Sequence, residues 1–483
     1  MSESLELNPL EAQSCTLLDA WPTPDEAAVS RLLEESFRSF HKKVIVLDDD
    51  PTGTQTVHNV PVYTDWSQST LETALSCEGT MAFILTNSRS FSREHTRTVH
   101  KEIAAALSLA ARRTNREFLL ISRGDSTLRG HYPLETEVLK NTLEDHTGQK
   151  FDGEIICPFF KEGGRFTIHN IHYVLEGSRL VPAGLTEFAR DKSFGYRSSD
   201  LRSYIAEKSG GTFSASDCLC ITLDELRSTD YESVTRKLMS AKNFAKIIVN
   251  AIDYVDLKVF MICWQKAMAA GKNYIARSAA SLAMVAGNIP PARLLTKEQL
   301  AAWDSFSGGL VIVGSHVQKT TEQLNALKAS EKNLFFLEFS LKNAFAQNGL
   351  KQEAARVLEK VQKHLAAGQT VVIYTSRKLI VPDTSDKDKI LGLSVDISNA
   401  LTDIVRNLSI KPRFIIAKGG ITSSDVATKG LSIRAARVMG QIKKGIPVWM
   451  TGSESKFPHM PYIIFPGNVG GVATLREIVE ELT

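Results

Sequence analysis

Cysteine is sparse in this chain: the six in 483 residues are scattered, and the closest pair, Cys218 and Cys220, has one residue between them rather than the spacing of a metal knuckle. Reduced thiols and a cytoplasmic location are the expectation. Long apolar runs are missing as well. None approaches ~20 residues, and Met1 to Glu11 is acidic with no hydrophobic centre, so neither a membrane span nor a secretory signal is expected. Charge of one sign is also lacking. With 57 Lys+Arg against 54 Asp+Glu the net charge is +3, and the two signs are interleaved, so the electrostatic footprint of a nucleic-acid binder is absent. There is no internal repeat, low-complexity tract or long linker. Neither a Walker A sequence nor a properly placed G-x-G-x-x-G occurs.

What is present is an ordinary folded composition, 43% hydrophobic and 23% charged, in a chain longer than one core usually serves. Short β-rich apolar runs alternate with helical stretches: Val44 to Leu47, Ala82 to Leu85, Phe118 to Ile121, Ile155 to Cys157, Leu219 to Thr222 and Ile247 to Val249. The style is repeated at Leu310 to Val313, Phe335 to Phe339, Val371 to Tyr374, Phe414 to Ala417, Pro447 to Met450 and Tyr462 to Phe465. Such alternation predicts an α/β protein whose two domains have mainly parallel sheets and face a central cleft. Between the second and third runs, Ser92 is placed to cap a helix with Glu94 in its first turn and Val99, Ile103, Leu107 and Ala110 on its buried face.

Three segments follow. Residues 1–42 form an amino-terminal helical arm, with Pro22 and Pro24 ahead of the apolar spacing Ala28, Leu32, Leu33, Phe37. The arm is able to pack on the core or on a partner subunit, which leaves a homo-oligomer open. Residues 43–295 form the first domain and 296–483 the second, divided where Gly287-Asn288-Ile289-Pro290-Pro291 ends the helical pattern.

The chemistry-bearing residues follow the strands, where open α/β sheets place their ligands. The first strand runs straight into Asp48-Asp49-Asp50, three adjacent carboxylates that require water, a cation or bound donors to offset their repulsion, and Pro51 and Gly53 then turn the chain away. After later strands come Arg89, then Arg123-Gly124-Asp125-Ser126-Thr127-Leu128-Arg129, then Gly163-Gly164-Arg165. The four arginines suit a carboxylate or phosphate, while the hydroxyls and carboxylates suit sugar hydroxyls. For each arginine alone a salt bridge is the blander reading; four such clusters at strand ends favour a ligand pocket. His131, His169 and His172 read as structural histidines, because no helix brings two of them together with a third ligand.

In the second half Gly314-Ser315 ends a strand ahead of Thr320, Thr321 and Gln323. Lys418-Gly419-Gly420-Ile421-Thr422 ends another, and Pro466-Gly467-Asn468-Val469-Gly470-Gly471 follows the last. Glycine permits the close backbone approach that a polyphosphate requires. A polyol-acid pocket and an anion cradle in one chain suit phosphoryl transfer.

Taken in order, Asp49-Asp50-Pro51-Thr52-Gly53, Ser88-Arg89, Asp125-Ser126-Thr127-Leu128-Arg129-Gly130, Gly164-Arg165, Gly314-Ser315 with Thr320 and Gln323, and Gly419-Gly420 with Thr422 resemble the four-carbon acid sugar kinase family. The resemblance spans about Lys43 to Thr483. It implies a sugar-acid-binding first domain, a nucleotide-binding second domain, and ATP with Mg²⁺ used to phosphorylate a tetronate or 3-oxo-tetronate. It further implies that Asp49, Asp50, Arg89, Asp125, Ser126 and Arg129 line the acid pocket, and that Gly314, Ser315, Gly419, Gly420 and the Gly467 to Gly471 loop surround ATP.

The chain departs from the family pattern. It adds Asp48, carries Pro51-Thr52-Gly53-Thr54 where Leu-Thr-Gly-Ala is usual, has Ile421 where an Asp is usual, and has no lysine in its last glycine loop, with Lys418 and Asp425 nearby as substitutes. It therefore resembles a divergent branch.

The mechanism expected from these residues has Asp49 or Asp50 accept or orient the acceptor hydroxyl, and Arg89 and Arg129 hold the carboxylate, while Arg123, Asp125, Ser126, Gly164 and Arg165 complete the substrate pocket. Lys418, Thr422, Asn468, Gly470 and Gly471 join the nucleotide site; metal ligands are left unassigned. Two rival classes remain: a non-catalytic sensor of sugar acid or nucleotide, and a nicotinamide-dependent sugar-acid dehydrogenase, against which the missing dinucleotide fingerprint weighs.

Overall fold

A computed structural model describes residues 7–300, 306–314, 318–342, 344, 346–377, 387–467 and 469–483. The chain divides into two units, Met1–Asp49 with Asp65–Pro290, and Asp50–Thr64 with Pro291–Thr483.

The first unit is built on a seven-stranded sheet in the order Leu219–Ile221, Ala245–Val249, Gly153–Cys157, Tyr274–Ser278, Phe118–Arg123, Lys43–Asp48, Met81–Leu85, with every neighbouring pair parallel. All six residues of Lys43–Asp48 are buried, as a strand covered on both faces must be. The helix Arg93–Thr114 starts where Ser92 accepts a hydrogen bond from His95 N–H at 3.2 Å, ends at Asn115 in the left-handed conformation, and buries Val99, Ile103, Leu107 and Ala110. A separate antiparallel sheet, Gln13–Ser14, Arg179–Pro182, Ile171–Glu176, Arg165–Ile168, belongs to the same unit.

The amino-terminal arm packs on this unit. Its helix Glu26–Arg38 lies against Tyr254–Ala269 with Val29 and Leu33 buried, Lys258 Nζ bonds Glu26 and Ser30 at 2.9 and 3.0 Å, and Trp21 Nε1 donates to Asp224 at 2.9 Å.

Among the described residues the second unit has eight strands, in the order Val60–Tyr63, Ala435–Lys443, Ile446–Thr451, Pro461–Phe465, Ile415–Lys418, Leu310–Val313, Thr370–Thr375, Leu334–Phe339. The first three junctions are antiparallel and the remaining four parallel. Its core gathers Val311, Ile416, Ile463 and Phe465 from the sheet with Leu324, Leu327, Leu475 and Ile478 from helices.

Residues 50–64 lie early in the chain yet cluster with this second unit, and their side chains explain why. Thr54 Oγ1 accepts from Trp449 Nε1 at 2.9 Å, Gln55 Nε2 donates to Gly445 O at 3.0 Å, and Val60–Tyr63 pairs with Ala435–Val438. These buried polar groups find their partners in that sheet and its Gly445 turn. The division between units thus falls within the acidic cluster, after Asp49 and before Asp50.

Candidate functional site

In the first unit, parallel pairing puts the carboxyl ends of five strands on one edge; the strand ends themselves carry Asp48, Arg123 and Arg277, and the segments that follow carry Asp49, Arg89, Asp125 to Arg129 and Arg165. Arg123 is spent on the acidic cluster, its Nη1 lying 3.2 Å from Asp48 and 3.4 Å from Asp49. Asp49 also receives Arg89 through Nε at 3.1 Å and Nη2 at 2.6 Å. Two guanidiniums therefore occupy the Asp49 carboxylate, which is 2% exposed. Packing of like charges is solved here by pairing.

Asp125 accepts from Arg129 Nε at 2.6 Å and from the Thr127 hydroxyl. Burial alone would raise its pKa; Arg129 and Arg89 outweigh that and, with the Thr127 hydroxyl, hold the carboxyl far below the usual range. Arg129 also lies 3.7 Å from Asp191. The Arg129 and Arg165 guanidiniums lie 5.1 and 5.8 Å from the centroid of the same ring, Phe188. Gly164, at φ +71°, is accounted for by the turn it makes beside Leu175.

Sequence reasoning missed Arg277. It pairs with Glu135 and donates to Ser122 Oγ at 3.0 Å, while Glu135 accepts from Ser88 Oγ at 2.6 Å. Burial would raise the Glu135 pKa, but Arg277, His100 and Ser88 together hold it at about 2. A Cβ at Gly124 would collide with the Arg277 guanidinium, and one at Gly130 would stand 2.7 Å from it. A side chain at either glycine flanking Asp125 to Arg129 would therefore displace the guanidinium of an arginine on a neighbouring strand. His100, His131 and His172 each bond a backbone carbonyl, consistent with structural roles.

In the second unit the same logic applies at the carboxyl ends of Leu310–Val313, Ile415–Lys418 and Pro461–Phe465. A Cβ at Gly314 would collide with the Thr422 hydroxyl, and a Cβ at Gly420 would lie 2.6 Å from Asp50 Oδ2, so Gly314, Gly420, Thr422 and Asp50 are gathered at one place. Gly419 has φ +114° and its N–H bonds Phe465 O at 2.9 Å, a conformation that favours glycine. Asp50 accepts from Thr52 N–H at 2.8 Å. The last glycine loop is tied by Gln323 Nε2, which donates to Val469 O at 3.2 Å and Gly471 O at 2.9 Å. Ser315 and Asn468 lie outside the described residues.

Lys418 and Asp425 take other partners. Asp425 accepts from Ser398 at 2.6 Å and pairs with Lys429 at 2.8 Å. Lys418 is fully buried, and its Nζ donates to Pro466 O at 2.6 Å and Gly467 O at 3.2 Å. It therefore braces the loop through carbonyls.

Burial, helped by Lys319, pushes the Lys418 pKa down to about 7 from 10.5. The folded state then binds fewer protons than the unfolded one between those values, so the cost of burying the ammonium is present in full below about pH 7 and is relieved as pH rises toward 10.5. Lys418→Met should accordingly lose ground to the wild type in melting temperature between about pH 6 and about pH 9. Parallel pH profiles would contradict a buried titrating lysine.

Among the described residues no group of three or more His, Cys, Asp or Glu side chains is arranged to hold a metal ion, and no helix is long and apolar enough to cross a membrane. An all-protein cage is not what a nucleotide-borne Mg²⁺ uses, since it keeps waters and phosphate oxygens and takes one or two carboxylates.

A family model described as a sugar-binding N-terminal domain matches residues 44–286, and one described as a nucleotide-binding C-terminal domain matches residues 310–475. Among solved structures, a Salmonella typhimurium LT2 protein provisionally named a tRNA synthase superposes with a TM-score of 0.66 at 14% identity, over 91% of this chain and 98% of its own. Haemophilus influenzae protein HI1011, of family DUF1537, does so with a TM-score of 0.58 at 15% identity, over 90% and 99%. At that identity both bear on the fold alone. No curated protein matches the sequence. With a sugar-binding and a nucleotide-binding domain matched in that order, the chain belongs to the four-carbon acid sugar kinase family.

Proposed function

We propose that the protein is an ATP-dependent kinase that phosphorylates a hydroxyl of a short sugar acid, a tetronate or 3-oxo-tetronate. The reading is carried by one conjunction: a sugar-binding domain whose rim joins Asp125, Arg129 and Arg165 is fused to a nucleotide-binding domain whose glycine turns close on Asp50. Phosphoryl transfer asks for positioning and charge neutralisation more than for covalent chemistry by the protein.

In the proposed reaction the acceptor oxygen forms a bond to the γ-phosphorus as the bond to the β,γ-bridging oxygen breaks, and the hydroxyl proton passes to a carboxylate. Asp50 suits that acceptor role better than Asp49. The oxygens of Asp49 already receive Arg89 and Arg123, whereas Asp50 stands at the Gly420 turn of the nucleotide-binding domain. Mg²⁺ bound to the triphosphate would supply charge neutralisation. The glycine backbone at Gly314, Gly419 and Gly420 and the loop Gly467 to Gly471, braced by Lys418 and Gln323, would cradle the phosphates.

A non-catalytic sensor is the second reading, favoured by Ile421, which is 63% exposed where the family usually has an aspartate. The two separate on ADP formation with a panel of four-carbon acids. ADP released only when an acid is present is the expected result; binding of both ligands with no ADP from any acid would leave the sensor.

A further inference from the structure

The loop Asp125 to Gly130 is held from behind at three consecutive carbonyls. His172 Nε2 donates to Ser126 O at 2.7 Å, the Tyr196 hydroxyl to Thr127 O at 2.7 Å, and the Tyr204 hydroxyl to Leu128 O at 2.8 Å. All three side chains are buried. The Ser126 carbonyl can only accept, so the His172 proton sits on Nε2, and Nδ1 accepts from the Thr167 hydroxyl at 3.0 Å. Leu128, a residue that resists the left-handed region, is nevertheless held there at φ +67°.

A trans peptide opposes its N–H to the C=O of the preceding residue. With the carbonyls of Ser126, Thr127 and Leu128 aimed at the buried side chains, the amides of Thr127, Leu128 and Arg129 are aimed the other way. Leu128 N–H is used by Asp125 O at 3.0 Å. Those of Thr127 and Arg129 bond no acceptor among the described residues. Amides presented around a left-handed residue make an anion-binding concavity.

The arginines divide in a matching way. Arg89 is committed to Asp49, and Arg129 to Asp125. Arg165 has no carboxylate within ion-pair distance among the described residues, its Nη1 bonds only the Gly163 carbonyl, and its buried Nε has no partner. Phe188 gathers it beside Arg129.

We infer that the carboxylate of the sugar acid binds Arg165 and the amides of Thr127 and Arg129, and that His172, Tyr196 and Tyr204 are positioning residues that set those amides. This rests on the sugar-acid reading of the first domain. Arg89 is then part of the acidic-cluster framework rather than the acid clamp.

The test is calorimetric titration with a tetronate and with the corresponding tetritol, the same polyol without its carboxylate, alongside ATP. Wild type should prefer the tetronate. Arg165→Met should reduce tetronate affinity about 10- to 100-fold, as expected for lost hydrogen bonds to a charged group, with tetritol and ATP binding unchanged. Tyr204→Phe and Tyr196→Phe should raise the acid KM and leave the ATP KM alone. Should Arg165→Met misfold, the tyrosine variants decide. Tetronate affinity unchanged in Arg165→Met, or tetritol and ATP affinity falling equally with it, would overturn the inference; wild type that binds no four-carbon acid would overturn the sugar-acid reading itself.

Discussion

Asp50→Asn is expected to lower turnover about 10²- to 10⁴-fold, the range of a lost general base, with ATP affinity unchanged. The amide keeps an oxygen for the Thr52 N–H bond at 2.8 Å, so that contact of the local turn is preserved while proton acceptance is removed. Asp49→Asn should behave differently. It weakens a buried carboxylate paired with Arg89 and Arg123, and breaking such a pair costs about 3–5 kcal/mol when one charge is left uncompensated. Stability should therefore fall with Asp49→Asn and turnover with Asp50→Asn. Melting curves beside steady-state rates separate the two, and unchanged turnover in both variants would remove a catalytic carboxylate from this cluster.

The second large effect is expected at Gly420. An added Cβ would stand 2.6 Å from Asp50 Oδ2, closer than real contacts allow, so the carboxylate must move. Misplacement by about 1 Å costs on the order of 10²-fold in rate. Gly420→Ala should thus reduce turnover by about that factor, through Asp50. The double variant Gly420→Ala/Asp50→Asn should be no slower than Asp50→Asn, because both changes act on one group. Full additivity would mean that Gly420 serves the phosphates independently of Asp50.

Much of this site is legible in the sequence because strand-to-loop transitions are written locally. The run Val44 to Leu47 is apolar enough to be a buried strand, and the acids must follow it; the twelve expected strands all appear, within a residue or two at their ends. Glycine turns at Gly314 and Gly419-Gly420 are equally local. Tyr274–Ser278 went unread as a strand, since five residues ending in Arg277 and Ser278 carry little apolar signal, although Arg277 packs against the two glycines that flank Asp125 to Arg129.

Val60–Tyr63 and Ala435–Lys443 were missed for a different reason. Pro61 and the bulged register around Gly440 interrupt the alternation, and their pairing joins residues far apart in the chain. The carbonyls that His172, Tyr196 and Tyr204 hold are invisible for the same cause. The three side chains lie 46, 69 and 76 residues from those carbonyls, and a side chain that serves a distant backbone group leaves no local motif. Lys418 is legible at a strand end, but its neighbours decide what it does, because two carbonyls of the next loop turn a plausible phosphate ligand into a brace.

The central claim is transfer of a phosphoryl group to a sugar-acid hydroxyl, and the fate of γ-labelled ATP tests it most directly. Incubated with the protein, Mg²⁺ and a four-carbon acid, the label is expected in a phosphate ester of the acid, identified by mass spectrometry. Label recovered only as inorganic phosphate, or left in ATP across the whole panel of acids, would contradict it.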